Sequence, residues 1–139
     1  MIKREKTMKT DTKKMYNSAV DNLLVGIGND FDKWNNVDYS DNEVLDSDNK
    51  LMKEIKTKSA IRFKEGLRVK SGRKFDKVLH GNSVWGFVAK KDGVLKGIPY
   101  FVGDVFKAAG WAAPAKHVRG SIFATETNWY AWTGPNYLI

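Results

Sequence analysis

The chain has 139 residues, 42% of them hydrophobic, and a formal net charge of +8, which together indicate one folded domain of a basic protein. It contains no cysteine, so disulfides, thiolate nucleophiles and thiolate metal sites are excluded. No apolar run is long enough to span a membrane, and the charged first residues, MIKREKTMKTDTKK, are unlike a secretory signal. We therefore expect a cytosolic protein, in a cell or in an infected host, with no membrane segment.

Charge and aromatic residues are concentrated in the second half of the chain. Residues 1–60 carry 11 basic and 11 acidic residues, whereas residues 61–139 carry 13 basic and 5 acidic residues. The second half therefore holds the whole net charge, and it also holds 13 of the 17 aromatic residues. Such asymmetry is typical of contact with a polyanion or with an acidic partner.

The first half shows helical periodicity in two stretches. Apolar residues recur every fourth position, which predicts a helix over residues 12–27 and a second helix over residues 42–57. The first apolar stripe consists of Met15, Ala19, Leu23 and Ile27, widened by Val20 and Leu24, and the second consists of Val44, Leu51 and Ile55, with Leu45 and Met52 beside them. We expect an antiparallel pair that docks on the second half, because neither stripe is wide enough to be stable alone.

An acidic stretch, residues 29–48, connects the two predicted helices. Asp38, Ser40 and Asn42 stand at every second position, as the first ligands of a calcium-binding EF-hand loop do. The rest of the loop does not fit, because Glu43 stands where an EF-hand has glycine and Asn49 where it has a bidentate glutamate. A solvated connector with a few anchoring aromatic residues is the better interpretation. A further hypothesis, based on charge alone, is that the stretch packs on the basic half and competes with its ligand.

After residue 60 the apolar period becomes that of strands. Apolar residues alternate with basic ones over residues 61–70, and turns are predicted at Ser71-Gly72, at residues 80–83 and at Asp92-Gly93. Further strands are expected at residues 75–79, 84–88, 94–102 and 105–108, with Gly86 at a bend or close approach and Pro99 at a sheet edge. Residues 110–120 are predicted to form a loop or short helix, and residues 122–123 and 129–133 are predicted to form the last strands.

No catalytic or cofactor signature is present. The two histidines, His80 and His117, have no thiolate between them, and we interpret His80 as a solvated residue beside a turn. No nucleophile elbow, phosphate loop or paired carboxylates stand out, so we expect a protein that is not an enzyme and holds neither a cofactor nor a metal.

Basic residues interleaved with aromatic ones carry the functional prediction. On a strand, alternating Lys and Arg side chains share one outward face, where they attract phosphates while nearby aromatic rings stack on bases. Lys77 belongs to the same basic run, and Trp111 is the ring that we expect to be exposed, whereas Trp85, Phe87, Phe106 and Trp132 are expected in the core. The candidate nucleic-acid-binding residues are Arg68, Lys70, Arg73, Lys74, Lys107, Trp111, Lys116, His117 and Arg119.

Four segments of the second half also carry a resemblance: SVWGF at 83–87, GDVFKAAGW at 103–111, APAKHVRGSIF at 113–123 and WTGP at 132–135. Together they resemble small uncharacterised proteins of large tailed bacteriophages. The resemblance implies a phage-encoded accessory protein that acts in an infected bacterium, or a minor component of the virion. It brings no established activity and assigns no residue a role.

The sequence thus predicts an α+β protein, with an N-terminal helical pair packed on a small, mostly antiparallel β-sheet or partial barrel. Residues 1–60 form the helical segment with its acidic connector, and residues 61–139 form the basic β domain. The predicted function is binding of nucleic acid, with single strands as one option. The alternative is a protein-interaction or virion-assembly module in which the Trp111 loop packs against an acidic protein partner. The oligomeric state stays open.

Overall fold

The structure, a computed structural model, describes the backbone of residues 2–35 and 47–136 and the side chains of residues 12–35 and 49–136. Within these ranges, two helices come first, followed by nine strands. The elements are α1 (Ile2–Asn35), α2 (Ser47–Gly66), β1 (Leu67–Ser71), β2 (Phe75–His80), β3 (Ser83–Ala89), β4 (Gly93–Leu95), β5 (Ile98–Tyr100), β6 (Asp104–Ala108), β7 (Pro114–Ser121), β8 (Tyr130–Ala131) and β9 (Gly134–Pro135).

Five of the strands form one antiparallel sheet in the order β1-β2-β3-β6-β7. Strands β4 and β5 form a separate hairpin, so the single strand expected over residues 94–102 is wrong: Lys96 and Gly97, both with positive φ, make a turn within it. Pro99 does lie in a two-stranded edge, as predicted, and β8 and β9 form another hairpin. The predicted α+β class is confirmed, and the described strands do not close into a barrel. The division into two domains stays a prediction.

The two helices pack side by side and run in opposite directions. Asn35 Nδ2 donates to the Lys56 carbonyl at 2.9 Å, and the rings of Phe31 and Phe63 stack with their centroids 4.1 Å apart. Lys64 pairs with Asp32 at 2.6 Å. Because rising numbers on α1 meet falling numbers on α2, the pair is antiparallel, as the sequence predicts.

Both helices are longer than their sequence patterns predict, and α2 replaces a predicted strand. Residues 61–66 continue α2, so the expected strand over residues 61–64 is wrong and Arg62 and Lys64 lie on a helix. Ala60 and Phe63 are both buried, and their spacing of three residues puts them on one helical face towards the core. Gly66 then ends the helix, and β1 begins at Leu67.

The predicted apolar stripe is largely confirmed on α1 and is wrong on α2. On α1 the predicted residues Val20, Leu23 and Ile27 are buried together with Tyr16 and Phe31, and Met15 is the exception at 63% exposed. On α2 the predicted apolar side, Leu51, Met52 and Ile55, is exposed. The side of α2 that docks is instead the one that carries the buried Ala60 and Phe63, and Phe63 stacks on Phe31 of α1.

Most of the core lies between the helices and one face of the sheet. It joins α1 and α2 residues to the sheet through Val78, Trp85, Val88 and Val105. Trp132, from the turn between β8 and β9, packs on Phe31 with ring centroids 5.1 Å apart and on Phe63 at 5.7 Å. Its backbone N–H also donates to Asp30 Oδ2 at 2.9 Å.

A smaller core covers the opposite face of the sheet. Phe87, Ala89 and Phe106 project there and pack with Tyr100 of the β4–β5 hairpin. Trp85, Phe87, Phe106 and Trp132 therefore all lie in packed clusters, as the sequence predicts. The sheet is covered by helices on one face and partly by a hairpin on the other.

Two further expectations are corrected by the structure. Residues 114–121 form strand β7 instead of a loop or short helix, because they pair with β6 with two register shifts that absorb the irregular spacing. His80 ends β2 and is half-buried, with its ring centroid 4.1 Å from that of Phe63, and burial lowers its pKa. A solvated loop side chain is therefore wrong for His80.

The predicted acidic connector, residues 29–48, lies only partly within the described residues. Residues 29–35 belong to α1, where Asp30 and Asp32 accept hydrogen bonds from Trp132 and Lys64. The expectations for Asp38, Ser40 and Asn42 fall within residues 36–46, outside the described residues. The hypothesis that this stretch competes for the basic half therefore stays a prediction.

Gly86 lies where β3 is approached closely, as the sequence predicts, and this generates a stability test. A Cβ at Gly86 would lie 2.8 Å from the Phe106 carbonyl oxygen and 3.3 Å from Pro135, whereas one at Gly110 would meet nothing within 4 Å. We expect Gly86→Ala to lower the free energy of unfolding by about 1–3 kcal/mol, because the sheet must shift. Gly110→Ala is the matched control and should change it by less than about 0.5 kcal/mol in chemical denaturation. Equal effects would contradict the close approach.

Trp132 and Trp111 form a second matched pair. Trp132→Ala removes the ring that contacts both helices, and we expect a loss of about 3 kcal/mol in the free energy of unfolding. Trp111 is 54% exposed and lies in the β6–β7 loop, so Trp111→Ala should cost less than about 1 kcal/mol. Thermal and urea denaturation measure both. If the two variants are equally stable, Trp132 does not join the helices to the sheet.

Candidate functional site

The β1–β2 hairpin builds the basic part of the candidate site. Val69 pairs with Val78, and both pack against the helices, so the alternate residues of the hairpin point to the opposite face. Lys70 and Lys77 are paired across the two strands and therefore lie side by side on that face. The turn between the strands adds the exposed cations Arg73 and Lys74.

These cations line a groove of about 390 Å³. Its described lining consists of Lys70, Ser71, Gly72, Arg73, Lys74, Phe75, Lys77, Phe87 and Ala112, and we call it the basic groove. Four of these residues are basic and none is acidic. The concentration of positive charge in a concave surface favours an anion, because the low-dielectric walls focus the field.

Two aromatic rings, Phe75 and Phe87, line the basic groove, and a third, Trp111, lies beside it against Lys77. Lys77 Nζ lies 4.3 Å from the centroid of the Trp111 ring and 5.9 Å from that of Phe87. This cation–π contact holds the β6–β7 loop against β2, which lies two strands away from β6 in the sheet. Trp111 remains 54% exposed, as expected from the sequence, so its ring is accessible to a ligand.

Of the nine predicted residues, Lys70, Arg73 and Lys74 line the basic groove, and Trp111 lies beside it in contact with Lys77. Arg68 lies at the other end of β1, where its Nη1 donates to the Gly81 carbonyl at 2.8 Å. Lys116 and His117 are exposed on β7, the edge strand farthest from β1. They do not line the basic groove.

Lys107 and Arg119 lie on the other side of the sheet. Phe106 and Ala108 pack in the hairpin-covered core, so Lys107 points to the helix side, next to Gly134. Arg119 Nη1 donates to the Asn136 carbonyl at 3.4 Å. Burial and the charge of Arg119 lower the pKa of Lys107. These two cations therefore belong to the surroundings of β9 and not to the basic groove.

Six of the described residues that line the basic groove were not among the nine candidates, and two of these, Lys77 and Phe87, matter most for a ligand. Lys77 stands in the same basic run, and its cross-strand position opposite Lys70 could have selected it once the hairpin was assigned. Phe87 was assigned to the core, and it does pack there, but it also borders the basic groove. No sequence signal distinguishes a core ring at a groove edge from one that is fully enclosed.

Two negative findings apply to the described part of the chain. Within it, no helix has the length and apolar character needed to cross a membrane. Across the same residues, no group of three or more His, Asp or Glu side chains is placed to hold a metal ion.

Fold and groove together define a small α+β protein with helices on one face of an antiparallel sheet and a basic, aromatic-walled groove on the other. The chain belongs to DUF7717, a family of unknown function, whose model matches residues 3–137. No curated protein and no solved structure matches the chain.

Proposed function

We propose that this protein binds nucleic acid through the basic groove. The observation that supports the proposal most strongly is the convergence of Lys70, Arg73, Lys74 and Lys77 beside the exposed ring of Trp111, with no carboxylate in the described lining. Phosphates would bind the cations, and binding would release counterions from the nucleic acid. A base would stack on Trp111, as in other proteins that combine a basic groove with aromatic platforms.

Single strands suit the basic groove better than duplexes do. In a duplex the bases are stacked on one another, so the Trp111 ring would have no free base face to contact. An unpaired strand exposes both its phosphates and its bases, and the groove offers a partner for each.

The proposed role is binding without catalysis. Among the described residues that line the basic groove, Ser71 is the one hydroxyl, and neither histidine lies there. An acid or base for chemistry on the bound strand would have to come from elsewhere. On the sequence resemblance, we propose a phage-type accessory protein that acts in the cytoplasm of an infected bacterium or is carried in the virion.

Charge reversal at the turn tests the electrostatic part of the proposal. For Arg73→Glu/Lys74→Glu we expect single-stranded DNA or RNA to bind about tenfold or more weakly at low salt. The slope of log K against log salt should fall by about 1–2, since two phosphate contacts are lost. Fluorescence anisotropy across a salt series measures both quantities.

The control for that experiment is Lys91→Glu/Lys96→Glu, at two lysines that are not candidate binding residues. Both lysines are exposed, and neither lines the basic groove, so the change in net charge is the same. An equal loss in the control would contradict a localised groove and indicate attraction by net charge alone. Absence of binding by the wild-type protein at low salt would overturn the proposal.

Trp111→Ala tests the stacking part. We expect single-strand affinity to fall by about 1–3 kcal/mol with little change in the salt slope, because a ring is lost and no charge is. Trp111→Phe keeps an aromatic face and should retain most of the affinity.

If Trp111→Ala leaves nucleic-acid affinity unchanged, stacking is wrong. If the wild-type protein also binds no nucleic acid, the alternative of a protein-interaction or assembly module gains support. The Trp111 contact would then be tested with an acidic partner, whose anchoring by an aromatic ring should depend only weakly on salt.

A further inference from the structure

A second and larger cavity, of about 640 Å³, lies between α1 and the ends of β1, β2 and β3. It lies on the helix side of the sheet, since Asp76 on its wall is bonded to Tyr16 of α1. Ser71, at the end of β1, borders both this cavity and the basic groove. The described lining consists of Thr12, Lys13, Tyr16, Asn17, Ser71, Asp76, Lys90 and Val102.

A buried carboxylate is the central feature of this cavity. Asp76 is 7% exposed, and its Oδ2 accepts a hydrogen bond from the Tyr16 hydroxyl at 2.7 Å. Burial and the neighbouring carboxylate raise the pKa of Tyr16, so the phenol stays protonated and remains the donor. Asp76 Oδ1 is also buried but accepts no hydrogen bond from the residues that the structure describes. A buried oxygen without a donor is costly, and such groups in native proteins call for a partner.

Lys90 is held in place beside this carboxylate. Its Nζ donates to Ser71 Oγ at 2.8 Å and to the Gly72 carbonyl at 3.1 Å, and lies 3.7 Å from Asp76 Oδ1. At that distance the ammonium contributes charge but does not hydrogen-bond Oδ1. The unused acceptor capacity of Asp76 is therefore left for a neutral donor.

The charges select the class of ligand. The described residues that line the cavity include two ammonium groups, Lys13 and Lys90, and one carboxylate, Asp76, so the described lining has a net positive charge. This disfavours a metal ion or an amine at Asp76 and favours a ligand that combines an anionic group with an uncharged N–H donor. Lys13 is exposed and suits the anionic group, whereas Asp76 is buried and suits the donor.

We propose that this cavity binds a mononucleotide, with an N–H of the base donating to Asp76 and the phosphate contacting Lys13. A nucleobase supplies an uncharged N–H donor, and the attached phosphate supplies the anion. The cavity volume lies within the usual range for ligands of that size, about 300–1,000 Å³. Hydroxyl and amide groups of Thr12 and Asn17 are available to the sugar.

This site does not depend on the proposed binding of strands in the basic groove. The cavity and the groove share Ser71 but are lined by different charged residues. Variants can therefore separate the two proposals, and failure of one leaves the other standing.

The test is titration of the whole protein with AMP, CMP, GMP and UMP, and separately with inorganic phosphate. Ligand-observed NMR and the shift in thermal unfolding temperature measure binding. We expect at least one nucleotide to bind with a Kd below about 1 mM and phosphate alone to bind much more weakly. Lys13→Gln should weaken nucleotide binding about tenfold through loss of the charge-assisted contact. Lys14→Gln, at the adjacent exposed lysine that does not line the cavity, should leave it unchanged.

Two variants address the buried end. Asp76→Asn keeps the shape but turns part of the acceptor into a donor, and should weaken binding of the base without affecting phosphate. Because Asp76 is buried and that variant can destabilise the fold, Asn17→Trp is the second probe. Asn17 is exposed on α1, so a large ring there should fill the cavity and abolish nucleotide binding in a folded protein.

The outcomes that overturn the proposal are specific. Absence of binding by all four nucleotides, equal affinity for phosphate and nucleotide, or full binding by Asn17→Trp would each do so. An equal loss of mononucleotide affinity in Arg73→Glu/Lys74→Glu would assign the nucleotide to the basic groove instead.

Discussion

The packing of Trp132 between the two helices holds the molecule together. Its ring contacts Phe31 of α1 and Phe63 of α2, which are themselves stacked on each other. Its backbone N–H donates to Asp30, and the Trp85 indole donates to the Ala131 carbonyl at 2.9 Å. The segment around β8 and β9 thus joins both helices to β3 of the sheet. The helices are only weakly amphipathic, so they depend on tertiary contacts for their stability. Three aromatic rings and two long-range hydrogen bonds provide those contacts.

Because the helices cover one face, the other face is available for the basic residues. Strand β2 shows the division within six residues: Asp76 and Val78 contact the helix side, whereas Phe75 and Lys77 point to the opposite side. A one-residue shift in the pairing of β1 with β2 would exchange these sets. The register that buries Val69 and Val78 is therefore also the register that places Lys70 beside Lys77.

The α+β class, the antiparallel helical pair and most of the strands could be predicted from the sequence, because each depends on a local period or turn signal. The end of α2 could not. Ile61, Phe63 and their basic neighbours fit a strand as well as a helix, and the contact of Phe63 with Phe31 decides between them. Similarly, β7 contains Pro114 and Gly120 and looks like a loop, until its pairing with β6 is known. In both segments tertiary contacts override the local pattern.

The candidate site was predictable only where it follows a single hairpin. Lys70, Arg73 and Lys74 are neighbours in sequence and remain neighbours in space. Lys107 and Arg119 look equivalent to them in composition but face the other side of the sheet, because alternation along β6 sends Phe106 to one face and Lys107 to the other. The cavity at Asp76 gave no signal at all, since Tyr16 and Asp76 are 60 positions apart.

The contact between Trp132 and Asp30 has a consequence for the order of folding. It joins residues 102 positions apart, and closing so long a loop is slow compared with forming a helix or a hairpin. The β1–β2 and β2–β3 hairpins can form from local contacts. The helices contact the Trp132 ring only after the segment around β8 and β9 has folded against them. The hairpin that carries the basic groove can therefore be in place before the helices are locked against the sheet.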